Sequence, residues 1–198
     1  IAWSIEHALQ SSSIDAVFVS TDCQSIKDIA LSYGADVPFL RPKKISNDAA
    51  STESAVLHFL EWATLHNVQC DNLVLMQATS PFRYKSRIDE AMGKFLCEDA
   101  DSLLSVTKTN HFFWKNPVSP AASYDIYKRP RRQDIKVCDE LYFENGSFYI
   151  SKVDTYKKFK NRLGGKISMY EMSYEESFEI DEPIDFALIE FLMGRYQQ

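Results

Sequence analysis

Glu179 and Asp181 stand two residues apart in Glu179-Ile180-Asp181, a stretch that reads as extended. Alternate side chains of an extended chain point to one face, so both carboxylates could serve one centre. A solvated acidic turn ahead of the last helix is the plainer alternative. Asp185 reads as the first-turn acid of that helix, where the macrodipole favours it. Opposite in charge, Lys128-Arg129-Pro130-Arg131-Arg132-Gln133-Asp134 is the densest positive run in the chain. A guanidinium there could pair bidentately with phosphate or carboxylate, and a solvated loop is the alternative.

These groups need a frame. Apolar residues recur at helical spacing in Ile1, Ile5, Ala8 and Leu9, and again in Ile26, Ile29, Ala30 and Tyr33, with Gly34 as a stop. Further helices are expected over Thr52–His66, Arg87–Leu96, Asp154–Lys160 and Pro183–Met193, the last with proline in its first turn. Short apolar runs at Ala16–Ser20, Val37–Leu40, Leu73–Met76, Ser102–Thr107, Gly146–Ile150 and Ile167–Met172 read as strands. Their alternation with helices predicts an α/β fold with a mostly parallel sheet. Asn145-Gly146 reads as a tight turn. Periodicity breaks between about Asn110 and Glu140, which predicts one domain over 1–198 carrying an insertion at 110–140.

Composition narrows the function classes. The net charge of −6 argues against general nucleic-acid binding, though not against a small anion. No apolar run approaches the roughly 20 residues of a membrane span, and no leader pattern is present. Cys23, Cys70, Cys97 and Cys138 form no CxxC pair and read as free thiols of a reducing cytoplasm. The four histidines lack metal-ligand spacing and read as structural.

Ligands of open α/β sheets bind beyond the carboxyl ends of the strands. Ser20-Thr21-Asp22, Arg41-Pro42 and Gln77-Ala78-Thr79-Ser80-Pro81-Phe82-Arg83 all fall at such ends. The strings VSTD (19–22), VPFLRP (37–42), NDAAST (47–52), LMQATSPFR (75–83), RPRRQD (129–134), ENGSFYI (144–150) and EIDEPIDF (179–186) occur in order along nearly the whole chain. In order and spacing they resemble the acylneuraminate cytidylyltransferases, which include CMP-sialic acid synthetases and related CMP-nonulosonate synthetases.

The resemblance implies a Rossmann-like nucleotide-diphospho-sugar transferase fold. It also implies transfer of CMP from CTP to the anomeric hydroxyl of a nonulosonic acid, with Mg²⁺ and release of pyrophosphate. Asp181 and Glu179 then match the metal pair, and Glu179 stands where the family usually has aspartate. Arg132 matches the basic anchor of catalysis and sugar binding. Arg41 and Ser51 match the CTP side, whereas Gln77 and Asn145 match the sugar side. Lys115 matches a lysine that reaches a neighbouring active site, so the 110–140 insertion is expected to form a homodimer. The run Lys128–Arg132 is also similar to a nuclear-localisation string of animal members, against an otherwise cytoplasmic expectation.

Family members begin with a strand and a Gly-, Arg- and Lys-rich triphosphate loop ahead of the helix that opens this chain. A further N-terminal segment of the real polypeptide is therefore expected, and weak CTP binding without it. Two alternatives remain beside the synthetase. One is a non-catalytic nucleotide-sugar-binding or assembly subunit. The other is the CMP-KDO synthetase group, which carries an acidic pair where this chain has Ala78-Thr79-Ser80-Pro81.

Overall fold

A computed structural model of the chain describes residues 1–196. Helices α1 (Ala2–Gln10), α2 (Gln24–Ser32) and α3 (Thr52–Leu65) precede the first ladder strand, β1 (Asn72–Met76). Helix α4 (Arg87–Cys97) leads to β2 (Ser102–Thr109), then come the short β3 (Trp114–Lys115) and β4 (Ala121–Ala122). The long β5 (Leu141–Lys152), α5 (Val153–Phe159), β6 (Ile167–Met172) and α6 (Pro183–Tyr196) complete the order.

The main sheet has the order β1-β5-β2-β6. β5 is antiparallel to both β1 and β2, and β2 is parallel to β6, so β1, β2 and β6 share one direction. Their carboxyl ends consequently lie at one end of the sheet. Alternation along β1 explains the two layers of cover. Val74 and Met76 pack on the cluster of Ala91, Phe95, Leu103, Phe148 and Ile150 under α4. Leu73 and Leu75 pack on Val56, Leu60, Val153 and Tyr156 of α3 and α5. Full burial of a side chain such as Leu103, Phe148 or Ile150 contributes about 1.5–3 kcal/mol.

Two expected strands are corrected. Ala16–Ser20 and Val37–Leu40 meet only through single parallel bridges, Phe18 to Asp36 and Thr21 to Leu40. The pair is held by α1 and α2 through Ile5, Ala30, Ala35, Val37, Val17 and Val19, and the Phe18 ring packs tilted against Phe59 of α3 with centroids 4.9 Å apart. Val17 to Ser20 are half-buried rather than buried on both faces, because no ladder joins them to β1 among the described residues. The expected turn at Asn145-Gly146 is corrected too: both residues lie inside β5. Gly34 does close its helix, at φ +89 with its N–H on the Leu31 carbonyl. Between β2 and β5 the chain forms the β3–β4 ribbon and three 3-10 turns. No helix among the described residues is long and apolar enough to cross a membrane.

His7 on α1 is half-buried, and its Nδ1 has no partner among the described residues. Burial, aided by the Arg83 charge and opposed by Glu176, pulls its imidazole down to about 4. The unfolded chain therefore binds a proton near pH 6.5 that the folded chain refuses until about 4, so stability falls as pH drops through that window. Urea unfolding at pH 7 and pH 5 should show a loss of about 1 kcal/mol after allowance for partial exposure. The His7→Leu variant should lose most of that difference, and an unchanged slope would contradict the assignment.

Candidate active site

Gln77 is the first residue beyond β1, and its N–H donates to the Ser147 carbonyl at 3.3 Å. That contact continues the β1–β5 ladder to the point where β5 departs from regular pairing. On the β2 side the register steps from Leu104 opposite Tyr149 to Val106 opposite Glu144. The extra residues of β5 form a bulge, a device that re-aims side chains beside functional sites. The Ser105 hydroxyl spans it, accepting from the Phe148 N–H at 3.0 Å and donating to the Phe148 carbonyl at 2.9 Å.

At the bulge Gly146 has φ +63. A Cβ there would sit 1.7 Å from Glu179 Oε1 and 2.9 Å from Gln77 Oε1. The glycine thus brings together a β1-end amide and a carboxylate from the segment after β6. Glu179 Oε1 also accepts from Ser80 Oγ at 3.2 Å, and the neighbouring Ile180 N–H donates to the Thr79 carbonyl at 2.8 Å. These two contacts hold the carboxylate segment against the Thr79-Ser80 loop.

Asp181 is exposed, and its N–H donates to Asp185 Oδ2 at 3.1 Å, as does that of Glu182 at 2.8 Å. Asp185 is therefore the acid that closes the start of α6, which leaves the Asp181 carboxylate facing outward. Among the described residues no group of three or more His, Cys, Asp or Glu is gathered in a metal-binding arrangement. Glu179 and Asp181 remain a pair.

Asn145 is fully buried. Its amide donates to Thr107 Oγ1 at 3.1 Å and its Oδ1 accepts from the Ser147 N–H at 3.3 Å, so the side chain holds the bulge. Arg41 donates from Nε to Ser46 Oγ at 2.9 Å and lies 3.8 Å from Asp22, beside the Thr21–Leu40 bridge. Ser51 is the N-cap of α3, its Oγ accepting from the Ser54 N–H at 3.2 Å.

Arg132 and Lys115 belong to the insertion and are exposed. Arg132 lines a groove of about 520 Å³ with Lys108, His111 and Lys128, at the base of the insertion. The other arginines of the run are engaged: Arg129 lies over the Phe112 ring at 4.4 Å, and Arg131 pairs with Asp134 at 2.6 Å. Among the described residues neither Arg132 nor Lys115 is bonded to Gln77, Asn145 or Glu179. The structure therefore brings Gln77 and Glu179 together at Gly146, with Asn145 holding the same bulge, and does not bond Arg41, Ser51, Lys115, Arg132 or Asp181 to them among the described residues.

Ser80 and Arg83 lie within motifs of the sequence but were expected to take no part in the site, and Gly146 was expected only as half of a tight turn bordering the sugar pocket. Arg83 is 1% exposed and donates to Ser147 Oγ at 2.7 Å, the Ser147 carbonyl at 2.7 Å, the Gln77 carbonyl at 3.1 Å and Ser4 Oγ at 3.2 Å. Burial pulls its guanidinium down to about 10, with Glu176 acting against the shift. The glycine in a strand-like run was the available signal, since such glycines mark bulges or close approaches.

Gly146→Ala should cost about 1–3 kcal/mol, combining positive-φ strain with the clash at Glu179. Chemical denaturation measures the loss, and a crystal structure should show Glu179 displaced from Ser80. A variant as stable as the parent, with Glu179 unmoved, would remove Gly146 from the site.

A family model described as Cytidylyltransferase matches residues 1–198. N-acylneuraminate cytidylyltransferase B of Danio rerio is 35% identical, over 99% of this chain and 45% of that protein. CMP-N,N'-diacetyllegionaminic acid synthase of Legionella pneumophila is 32% identical, over 100% of this chain and 86% of that protein. The chain spans about half the length of several of the curated relatives it matches. Among solved structures, CMP:2-keto-3-deoxy-manno-octonic acid synthetase complexed with CTP aligns with a TM-score of 0.69 at 14% identity, over 98% of this chain and 87% of that one. A 4-diphosphocytidyl-2C-methyl-D-erythritol synthase from Anaerococcus prevotii aligns at 0.65 with 12% identity, over 96% and 89%. These likenesses show a shared nucleotide-diphospho-sugar transferase fold. With a family model matching its full length, the chain belongs to the cytidylyltransferase family.

Proposed function

We propose that this chain transfers CMP from CTP to the anomeric hydroxyl of a nonulosonic acid, forming the CMP-sugar and releasing pyrophosphate. The observation that carries the reading is the meeting of Gln77 and Glu179 at Gly146, where an amide and a carboxylate converge at the carboxyl end of the sheet. An amide both donates and accepts, as recognition of a polyhydroxylated acid requires. The N-acylneuraminate and legionaminic acid relatives support the sugar class, and family membership supports CTP. A KDO reading is disfavoured because the loop after β1 carries Ala78-Thr79-Ser80-Pro81, and the KDO enzyme is similar at only 14% identity.

In this reading Arg41 and the α3 cap at Ser51 hold the nucleotide, and Gln77 orients the sugar with Asn145 fixing the strand beneath it. Arg132, the arginine of its run engaged by neither an acid nor a ring among the described residues, supplies positive charge to the anionic reactants. Transfer of this kind depends on positioning and on stabilising the charge that gathers on the departing pyrophosphate. Glu179 and Asp181 fit a magnesium ion as oxygen donors: hard Mg²⁺ takes one or two carboxylates and completes its shell with water and phosphate. Such an ion, when bound, neutralises charge on the phosphates. Glu179 is already oriented by Ser80, so Asp181 is the freer of the two.

Homodimerisation through the insertion belongs to the same proposal. Val118, Tyr127 and Val137 there are 93%, 92% and 83% exposed, and Phe113 and Trp114 are exposed beside Lys115. Sedimentation at micromolar concentration should give a dimer, and a persistent monomer would overturn this part.

Pyrophosphate release from CTP, measured with sialic, legionaminic and pseudaminic acids, tests the activity. Asp181→Asn should lower the rate about 100-fold or more without unfolding the protein. No release from the full polypeptide with any of the acids would defeat the proposal.

A further inference from the structure

Arg83 is the largest of the fully buried side chains, yet it takes part in no ion pair among the described residues. A charge in the interior must be paired or saturated with hydrogen bonds, or its desolvation goes uncompensated. Here four neutral acceptors do the work. Nε reaches Ser147 Oγ, Nη2 reaches both the Ser147 and the Gln77 carbonyls, and Nη1 reaches Ser4 Oγ on α1.

The choice of acceptors is informative. Ser147 follows Gly146 in the bulge, and its carbonyl also takes the Gln77 N–H. Gln77 carries the amide that meets Glu179 at Gly146. One planar guanidinium therefore fixes the peptide groups on both sides of the point where the two site side chains converge. Its rigid fork can hold two carbonyls and two hydroxyls at set angles, and a lysine ammonium cannot reproduce that span.

We infer that Arg83 is a positioning residue for the sugar half of the site: through the Gln77 and Ser147 peptides it sets how the Gln77 amide faces the carboxylated sugar. The inference rests on the proposed function for its substrate, but not for its geometry. Arg83 lies beneath the site and touches no reactant.

Arg83→Lys retains a cation and loses the fork. Its KM for the nonulosonic acid should rise at least tenfold while its KM for CTP stays within twofold. A merely structural arginine would reduce the folded, active fraction, lowering the apparent kcat and leaving both KM values alone. The side-chain amide signals of Gln77 in a ¹⁵N–¹H spectrum, assigned with Gln77→Ala, should shift or broaden in folded Arg83→Lys. Unmoved signals overturn the inference whatever the activity, and so does a sugar KM that is unchanged or rises only in step with that of CTP. Should Arg83→Lys fail to fold, Ser147→Ala removes the Nε acceptor alone. That variant should move the same signals and raise the sugar KM about threefold, and its failure to do either overturns the proposal. If the parent protein releases no pyrophosphate, the functional reading fails separately and the Gln77 signals still decide the role of Arg83.

Discussion

β5 must pair on both sides, and its two neighbours cannot be served by one regular spacing. Toward β1 the register runs unbroken from Lys152 to Phe148, but toward β2 it jumps between Tyr149 and Glu144. The residues in excess have to go somewhere, and every group they release has to be satisfied in the interior. Ser105 bonds both the N–H and the carbonyl of Phe148, Asn145 turns its amide inward to Thr107, and Gly146 takes the left-handed conformation. With no Cβ at 146, Gln77 and Glu179 can close on the backbone. The candidate site is a consequence of where that ladder breaks.

Satisfying the break draws polar groups into the core beside it. Arg83 is one; nearby, Glu176 is also fully buried, accepting from the Tyr84 N–H at 2.9 Å and pairing with Arg87 at 3.0 Å. Glu176 also closes the capping box of Ser173, which fixes the turn leading from β6 to Glu179. Hydrogen bonding to this carboxylate raises the Arg87 guanidinium above its ordinary range. Buried ionic groups add little net stability, because desolvation offsets most of the attraction. Their effect here is geometric. Glu176 sets the approach of the acidic segment and Arg83 sets the approach of the β1 end, while the Phe95, Leu103, Phe148 and Ile150 cluster supplies the cohesion.

Features that depend on a segment's own pattern were readable in the sequence, and those that depend on a partner were not. The helices from α1 to α6 appear within a few residues of their expected spans, because apolar spacing and terminators are local. β1 and β6 were equally plain. Ala16–Ser20 has the composition of a buried strand, but forming a ladder requires a neighbour at the right distance, which composition does not encode. Asn145-Gly146 has the same ambiguity at smaller scale: a positive φ suits a turn or a bulge, and only the pairing of the flanking residues chooses between them. Arg83 was misjudged by omission, since an arginine ending a polar loop reads as surface until its four acceptors are seen. The carboxylate pair was visible as a pair. That Glu179 leans on Ser80 and Gly146 while Asp181 faces solvent was not, because nothing in the spacing places the Thr79-Ser80 loop beside them.

The division of charge over the molecule bears on how the site can fill. Glu179, Asp181, Glu182 and Asp185 cluster at the start of α6, whereas Lys128, Arg129, Arg131 and Arg132 lie on the insertion. A polyanion approaching the acidic cluster alone would be repelled, so it needs either a bound cation there or the basic insertion nearby. Arg129 is committed to the Phe112 and Tyr124 rings and Arg131 to Asp134, so they shape the loop that presents Arg132. Arg132 and Lys115 are exposed, and among the described residues neither is bonded to the Gln77 group. The groove at the base of the insertion, lined by β2-end Lys108 and by Arg132, links that loop to β2, the strand paired with β5 across the break.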